Sequence, residues 1–227
     1  MTRVLAFLYL LVLCAQPSFA GCSTQSEMIG AKYTVVVSLA DGTDKDNYEL
    51  VLWRNSEQAL HEYPEKKLAD LWEHTPNDQL HLVRYFDEFQ RAIEYQPGEI
   101  PEGRKSGAWS VKRQLVADDV LESMQLVGSE GEGCEKTITY GLEDPGKSIR
   151  LEWLEELRLV KALTEQNAGR VIRLQLQKAM TDTAAVKAAL TKRSDFQSTD
   201  YTDIGDNESD PFLTRMINQG FSGHRHH

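Results

Sequence analysis

Apolar and polar side chains alternate most clearly between residues 136 and 178. Ile149, Leu151 and Trp153 alternate with Arg150 and Glu152; Ile172, Leu174 and Leu176 alternate with Arg173, Gln175 and Gln177. A period of two with one wet face predicts antiparallel strands covered on one side. Strands are expected at 136–140, 148–153 and 170–178, with a turn at Asp144, Pro145 and Gly146 between the first two. Residues 154–164 carry both periods: Trp153, Leu157 and Val160 fit a helix, while Leu157 and Leu159 fit a strand. The strand reading is preferred, bent by a bulge at residues 154–156.

Upstream, 33–39 is a strand by its β-branched content, 48–54 a second strand with both faces partly covered, and 59–63 a short third. Pro64 in the N1 place opens a predicted helix over 65–74, with Leu68, Leu71 and Trp72 as its stripe. Residues 79–86 and 90–95 form a hairpin around 87–89. Pro97, Gly98, Pro101, Gly103 and Gly107 make 97–107 a loop and the candidate internal boundary. Residues 109–113 read as a short strand. Asp118 or Asp119 caps a helix running to Val127, and 128–133 is a glycine-rich link. Asp182 caps an alanine-rich helix to Leu190, and Asp210 caps a final helix with Pro211 at N1.

Strands in hairpin order with helices between them predict an α+β fold. The expected core is a mainly antiparallel, strongly curved sheet, an unclosed barrel or cup, with a few short helices packed on it. In outline this resembles the unclosed barrels of periplasmic lipoprotein carriers, without a shared sequence motif. The expected organisation is a leader (1–20), one domain (21–192) and an acidic C-terminal segment (193–227) with one short helix.

The 227-residue chain has a formal net charge of -10. It has no basic stripe, which argues against nucleic acid, where phosphate neutralisation dominates, and against adsorption to anionic lipid surfaces. Residues 1–20 read as an export signal: Arg3 is the basic n-region, 4–15 the apolar stretch and 16–20 the polar end. The apolar run falls short of the roughly 20 residues of a membrane span, and the mature chain holds no longer one.

Ser18, Phe19 and Ala20 suit cleavage before Gly21, which places the chain in the periplasm. Phe19, Ala20, Gly21 and Cys22 also resemble the lipobox of bacterial lipoproteins. That resemblance implies a lipidated Cys22 and, with Ser23 next, an outer-membrane lipoprotein. Cys14 leaves with the leader, so Cys22 and Cys134 remain. An even count in an oxidising compartment favours a Cys22–Cys134 disulfide, worth roughly 4–5 kcal/mol by chain entropy.

The sequence has no phosphate loop, serine elbow, Cys-x-x-Cys or His-Glu-x-x-His. His61 and His81 are expected on one sheet face with Asp87 or Glu88 nearby and His74 beside them, a pattern a hydrolase could use, although hydrogen-bonded surface histidines are commoner. Asp195 and Asp200 open an acidic run. Within it Asp203, Asp206, Asn207, Glu208 and Asp210 are candidate calcium ligands, off the EF-hand spacing; the alternative is a solvated loop whose Asp210 caps a helix. His224, His226 and His227 are either a metal-binding tract or a frayed end. The aromatic residues, Trp53, Trp72, Trp109 and Trp153 among them, belong to the core or line an apolar pocket. No catalytic set or cofactor beyond calcium is specified. The expectation is a non-enzymatic envelope protein holding an apolar ligand or lipid on its curved sheet. The alternatives are an assembly factor binding another envelope protein through an edge strand or the acidic segment, and, more weakly, a histidine-dependent hydrolase.

Overall fold

The β-branched run of the first predicted strand lies at the middle of the molecule, as β1 (Ile29–Leu39). The computed structural model describes residues 27–100, 109–206 and 209–219. On one side of β1 the chain meanders outward through β2 (Asp44–Arg54), β3 (Gln58–Tyr63), β4 (Leu68–His74), β5 (Leu80–Phe86) and β6 (Arg91–Tyr95). It then passes to the far edge, begins again at β7 (Gln125–Glu130), and works back through β8 (Thr137–Asp144), β9 (Lys147–Leu154) and β10 (Leu159–Asn167) to β11 (Arg170–Met180), which pairs with β1. With β12 (Gln197–Asp200) beyond β6, twelve strands form one open sheet in the order β12-β6-β5-β4-β3-β2-β1-β11-β10-β9-β8-β7. The pairing is antiparallel except between β12 and β6. The predicted antiparallel sheet with few helices is therefore present, and it holds more strand than expected.

The sheet curls. On a flat sheet β2 and β9 would stand four strand spacings apart, about 19 Å. Yet Arg54, the last residue of β2, bonds the carbonyl oxygen of Leu157, just past β9, at 2.7 Å. One face gathers the main core: Tyr33, Leu52, Leu82 and Ile93 from one half pack in the same cluster as Leu151, Trp153 and Leu174 from the other. The registers place these residues on one side, since Tyr33 faces Leu50 and Leu176, and Leu163 faces Leu151 and Leu174. The outer face carries a smaller cluster of Leu60, Ala69, Leu71, Val83 and Ala92.

Among the described residues four short α-helices fill in around the sheet: α1 (Trp109–Gln114), α2 (Asp118–Ser123), α3 (Thr183–Thr191) and α4 (Pro211–Asn218). Asp182 caps α3 through Ala184 N, and Asp210 caps α4 through Phe212 N and Leu213 N, as the sequence predicts. Helix α4 drives Phe212, Leu213 and Met216 into the main core, with Phe212 edge-on to Phe86 at 5.2 Å. Helix α3 buries Val186 beside β1 and β2 and sets Leu190 against the outer cluster. Gly30, opposite Trp53, has no room for a side chain, because a Cβ there would lie 2.5 Å from the indole. Gly30→Ala is therefore expected to cost about 1–3 kcal/mol by overpacking; urea denaturation checks it, and a loss below measurement error would refute it.

Several local expectations are corrected. Residues 65–74 are not a helix. Pro64–Lys66 is one 3-10 turn, Lys67 reverses the chain at φ 49, and Leu68–His74 is β4. A strand buried on both faces loses its period of two, which let Leu68, Leu71 and Trp72 pass for a helical stripe. Residues 109–113 are helix α1 rather than a strand; its inward residues are the polar Ser110, Lys112 and Gln114, the reverse of the usual stripe. Helix α2 stops at Ser123, and residues to Glu130 form β7. No Asp side chain caps α2; its N-cap is Ala117. The bend at 154–156 is a full hairpin turn closed by Arg158 at φ 49, and the bulge lies later, between Val160 and Ala162.

Candidate functional site

The passage from β6 to β7 explains where the polar residues of the interior come from. These strands lie towards opposite ends of the sheet, and the described part of the link between them, residues 109–124, runs over the inner face. Such a crossing carries backbone carbonyls into the core, and each needs a donor. Arg54, fully buried, supplies three: Nη1 donates to Arg113 O at 2.8 Å and Arg158 O at 2.9 Å, and Nη2 to Leu157 O at 2.7 Å. Burial first, and the Arg113 charge next, push its pKa down to about 9, which leaves it charged at neutral pH. His61 Nε2 lies 2.7 Å from Lys112 O. A carbonyl only accepts, so Nε2 carries the proton. The Lys112 ammonium sits 4.1 Å above the Trp72 ring. Beside His61 on the inner face, Arg84 binds Asp70 through two bonds of 2.6 and 2.5 Å.

Where the crossing meets the β9–β10 turn, a cleft of about 480 Å³ opens. One wall is Trp109, whose indole stacks on His74 with ring centres 5.3 Å apart and planes 6° off parallel. His74 Nε2 lies 2.7 Å from the Asp78 carboxylate. The opposite wall is Arg158. Its Nε and Nη2 donate to Gln114 Oε1 at 3.2 and 2.9 Å, and Nη2 also reaches Asp118 at 3.1 Å. Arg113 also lines the cleft, with Nε 3.5 Å from Asn55 O. Burial, then the neighbouring Arg158, lower the pKa of Arg113. A smaller hollow of about 260 Å³ lies beside Asn167 and Arg170 at the β10–β11 hairpin, where no comparable polar groups converge.

The histidines expected on one face are separated. His61 pairs across to Asp70 and His81 to Glu73, three residues apart on β4, so the rings point to opposite sides. Asp87 is bound by Arg193 and Glu88 is exposed; the carboxylates that the histidines contact are instead Asp78, at His74, and Glu73, at His81. Of the candidate calcium ligands, Asp203 is exposed, and Asp210 is engaged by Arg91 at 2.8 Å, the main cause of its lowered pKa, and by the α4 cap. The Asp206 side chain, Asn207 and Glu208 lie outside the described residues. No group of three metal-ligating side chains gathers among the described ones. Cys134 is half-buried against the core; Cys22, the leader, and His224, His226 and His227 lie outside the described residues. No described helix is long and apolar enough to cross a membrane.

Two of the three histidine contacts, those of His61 and His81, have opposite pH signs. Burial lowers the pKa of His61 below its ordinary 6.5, whereas the bond to Glu73 raises that of His81. Below 6.5 the unfolded chain takes up a proton that folded His61 resists, so its contribution to stability falls as pH drops towards its folded pKa. The His81 contribution is full below 6.5 and is lost as pH rises through its folded pKa. Between about pH 7 and about pH 5, His61→Gln should therefore lose less melting temperature than the parent, and His81→Gln more. Equal slopes in all three would refute the assignment.

Arg54, Arg113 and Arg158 were not singled out by sequence reasoning. One signal was available: Arg54 shares strand parity with Leu50 and Leu52, which places a guanidinium on the apolar face. Nothing local marks Arg113 or Arg158, since the fold brings them together across a separation of more than forty residues.

No protein-family model matches the sequence, and no curated protein matches it. Solved structures share parts of its outline. A DUF1329 family protein from Desulfovibrio piger is 7% identical, covering 78% of this chain and 96% of that one at a TM-score of 0.40. PNGF-II is 9% identical at a TM-score of 0.38, and the chain spans 33% of its length and is covered over 79%. A domain assigned to an outer membrane lipoprotein-sorting protein of Vibrio parahaemolyticus is 9% identical, covering 73% of this chain and 95% of that one at 0.35. Scores of this size fix neither a common fold nor a common function.

Proposed function

We propose that this chain is an exported, non-enzymatic binding protein of the cell envelope that holds an apolar or amphiphilic ligand against its curled sheet. The observation that carries this reading is the cleft of about 480 Å³ at the rim of the inner face. Its volume lies within the roughly 300–1,000 Å³ of small-molecule sites. The indole of Trp109 is its one large apolar surface and its other nine lining residues are polar or charged, which suits a ligand with a polar group beside its apolar part. The leader supports export to the periplasm, and the crossing residues that fill the inner face confine a ligand to the rim. Native mass spectrometry of protein purified from its own host is expected to show a bound small molecule lost on denaturation. Uniformly apo protein from that source would sink the proposal.

One observation favours the second reading, binding to another envelope protein. Among the described residues the large hydrophobic side chains that stand exposed are Leu126 and Val127, neighbours on the edge strand β7. Apo protein together with a single dominant cross-linked partner in cells would select it.

We infer further that Cys22 and Cys134 are joined. The intact mature protein should gain the mass of two hydrogens on reduction. A diacylglycerol mass on Cys22 would replace the disulfide with a lipid anchor.

A further inference from the structure

Two guanidinium groups, of Arg113 and Arg158, line the cleft together with the carboxylates of Glu27, Asp78 and Asp118. Buried Arg54 is tied to the backbone oxygens of both Arg113 and Arg158. Those two residues come from separate segments, and Arg54 fixes them side by side. Arg158 is held in one orientation by Gln114 and Asp118. Asp118 is in turn bound by Gln114 at 2.7 Å, and Asp78 by His74. Of the three carboxylates lining the cleft, Asp78 is engaged by His74 and Asp118 by Gln114 and by Arg158 itself; Glu27 is the third. Arg113 lines the cleft as well, its Nε contact to Asn55 being at the limit of a hydrogen bond. The chain as a whole carries a formal charge of -10, and three carboxylates share the cleft with the two arginines, so an anion there must be held by directed short-range bonds rather than by long-range attraction.

We propose that the cleft binds an oxyanion (a carboxylate, sulfate or phosphate) between Arg113 and Arg158, with Trp109 as the surface for any apolar part of the same molecule. The inference rests on the proposed binding role and names the chemistry of its ligand. A guanidinium matches a planar or tetrahedral oxyanion with paired, charge-assisted bonds. A bridging anion also relieves the repulsion between the two arginines. Glu27 is the competing negative charge at the rim, so its removal should help.

Isothermal titration of the mature chain with three probes tests this: inorganic phosphate, dodecyl phosphate and the neutral dodecyl maltoside. Dodecyl phosphate is expected to bind at least tenfold more tightly than dodecyl maltoside. Arg113→Met should weaken dodecyl phosphate at least tenfold with an unchanged melting temperature, and Glu27→Gln should tighten it several-fold. If inorganic phosphate binds as tightly as dodecyl phosphate, and with the same Arg113 dependence, the oxyanion site stands and its ligand is a free anion. If dodecyl phosphate alone binds well, the site stands and its ligand is an amphiphile. Binding of either anion that ignores Arg113→Met and Glu27→Gln, or no anion binding at all, overturns the inference. A neutral lipid co-purifying from the host would then leave the binding role intact. Arg113-dependent phosphate binding with no co-purifying ligand would instead leave the oxyanion site without the apolar cargo.

Discussion

Replacing Asp70 with alanine is expected to cost the fold about 3–5 kcal/mol, the range for breaking a buried ion pair by removing one partner. Asp70 and Arg84 face each other directly across β4 and β5 on the inner face, with side chains 6% and 9% exposed. Deleting the carboxylate leaves a guanidinium in the core without the two short bonds that compensate its lost hydration. The effect reflects the orphaned charge rather than the worth of the pair. The double variant Asp70→Leu with Arg84→Met, which removes both charges at similar volume, should therefore recover most of the loss. Urea denaturation of the single and double variants measures both. A single-variant loss below about 1 kcal/mol, the scale of an exposed pair, would mean that water reaches the pair.

Arg193→Ala is expected to follow at about 2–3 kcal/mol, discounted from the buried range because one partner keeps water. The Arg193 side chain is 4% exposed, and it bonds Asp87 at 2.6 and 2.7 Å and Glu62 at 2.7 Å, with Asp87 31% exposed. Its guanidinium also lies 6.0 Å from the Tyr85 ring centre. Arg193 follows α3 and precedes β12, so this contact fastens the segment that adds the parallel edge strand and α4. Limited proteolysis under native conditions should cut the variant within residues 194–206 while the parent resists. Identical cleavage of the two would show that β12 and α4 hold this segment without Arg193.

The parts of the fold that were legible in the sequence are those where one face is wet. In β9 and β11 Arg150, Glu152, Arg173 and Gln175 mark the solvent side, and the period of two survives. In β4 both faces are covered, Ala69 and Leu71 by the outer cluster and Trp72 by the core, so the pattern blurs towards a helix. Helix α1 hid for a different reason: its inward residues answer buried carbonyls and charges rather than apolar surface, and no amphipathic stripe can announce that. The cleft was illegible for a third reason. Its arginines, Arg113 and Arg158, belong to two segments, and only the crossing of the inner face brings them together. By contrast, the caps at Asp182 and Asp210 were readable because capping is settled within three residues of chain.

The pairing of β1 with β11 has a consequence for how the molecule reaches this state. Each half is a series of hairpins between neighbours in sequence, which form on microsecond timescales. The seam between them, Gly30 with Met180 through Leu39 with Arg170, closes a loop of well over a hundred residues. Closure entropy grows only as the logarithm of that length, so the extra length adds little further cost, but the seam slows the search for the native pairing. Until residue 180 has left the ribosome, β1 has only one of its two neighbours. A nascent chain therefore stays unfinished through most of its synthesis, the condition in which a polypeptide can still be threaded through a narrow channel.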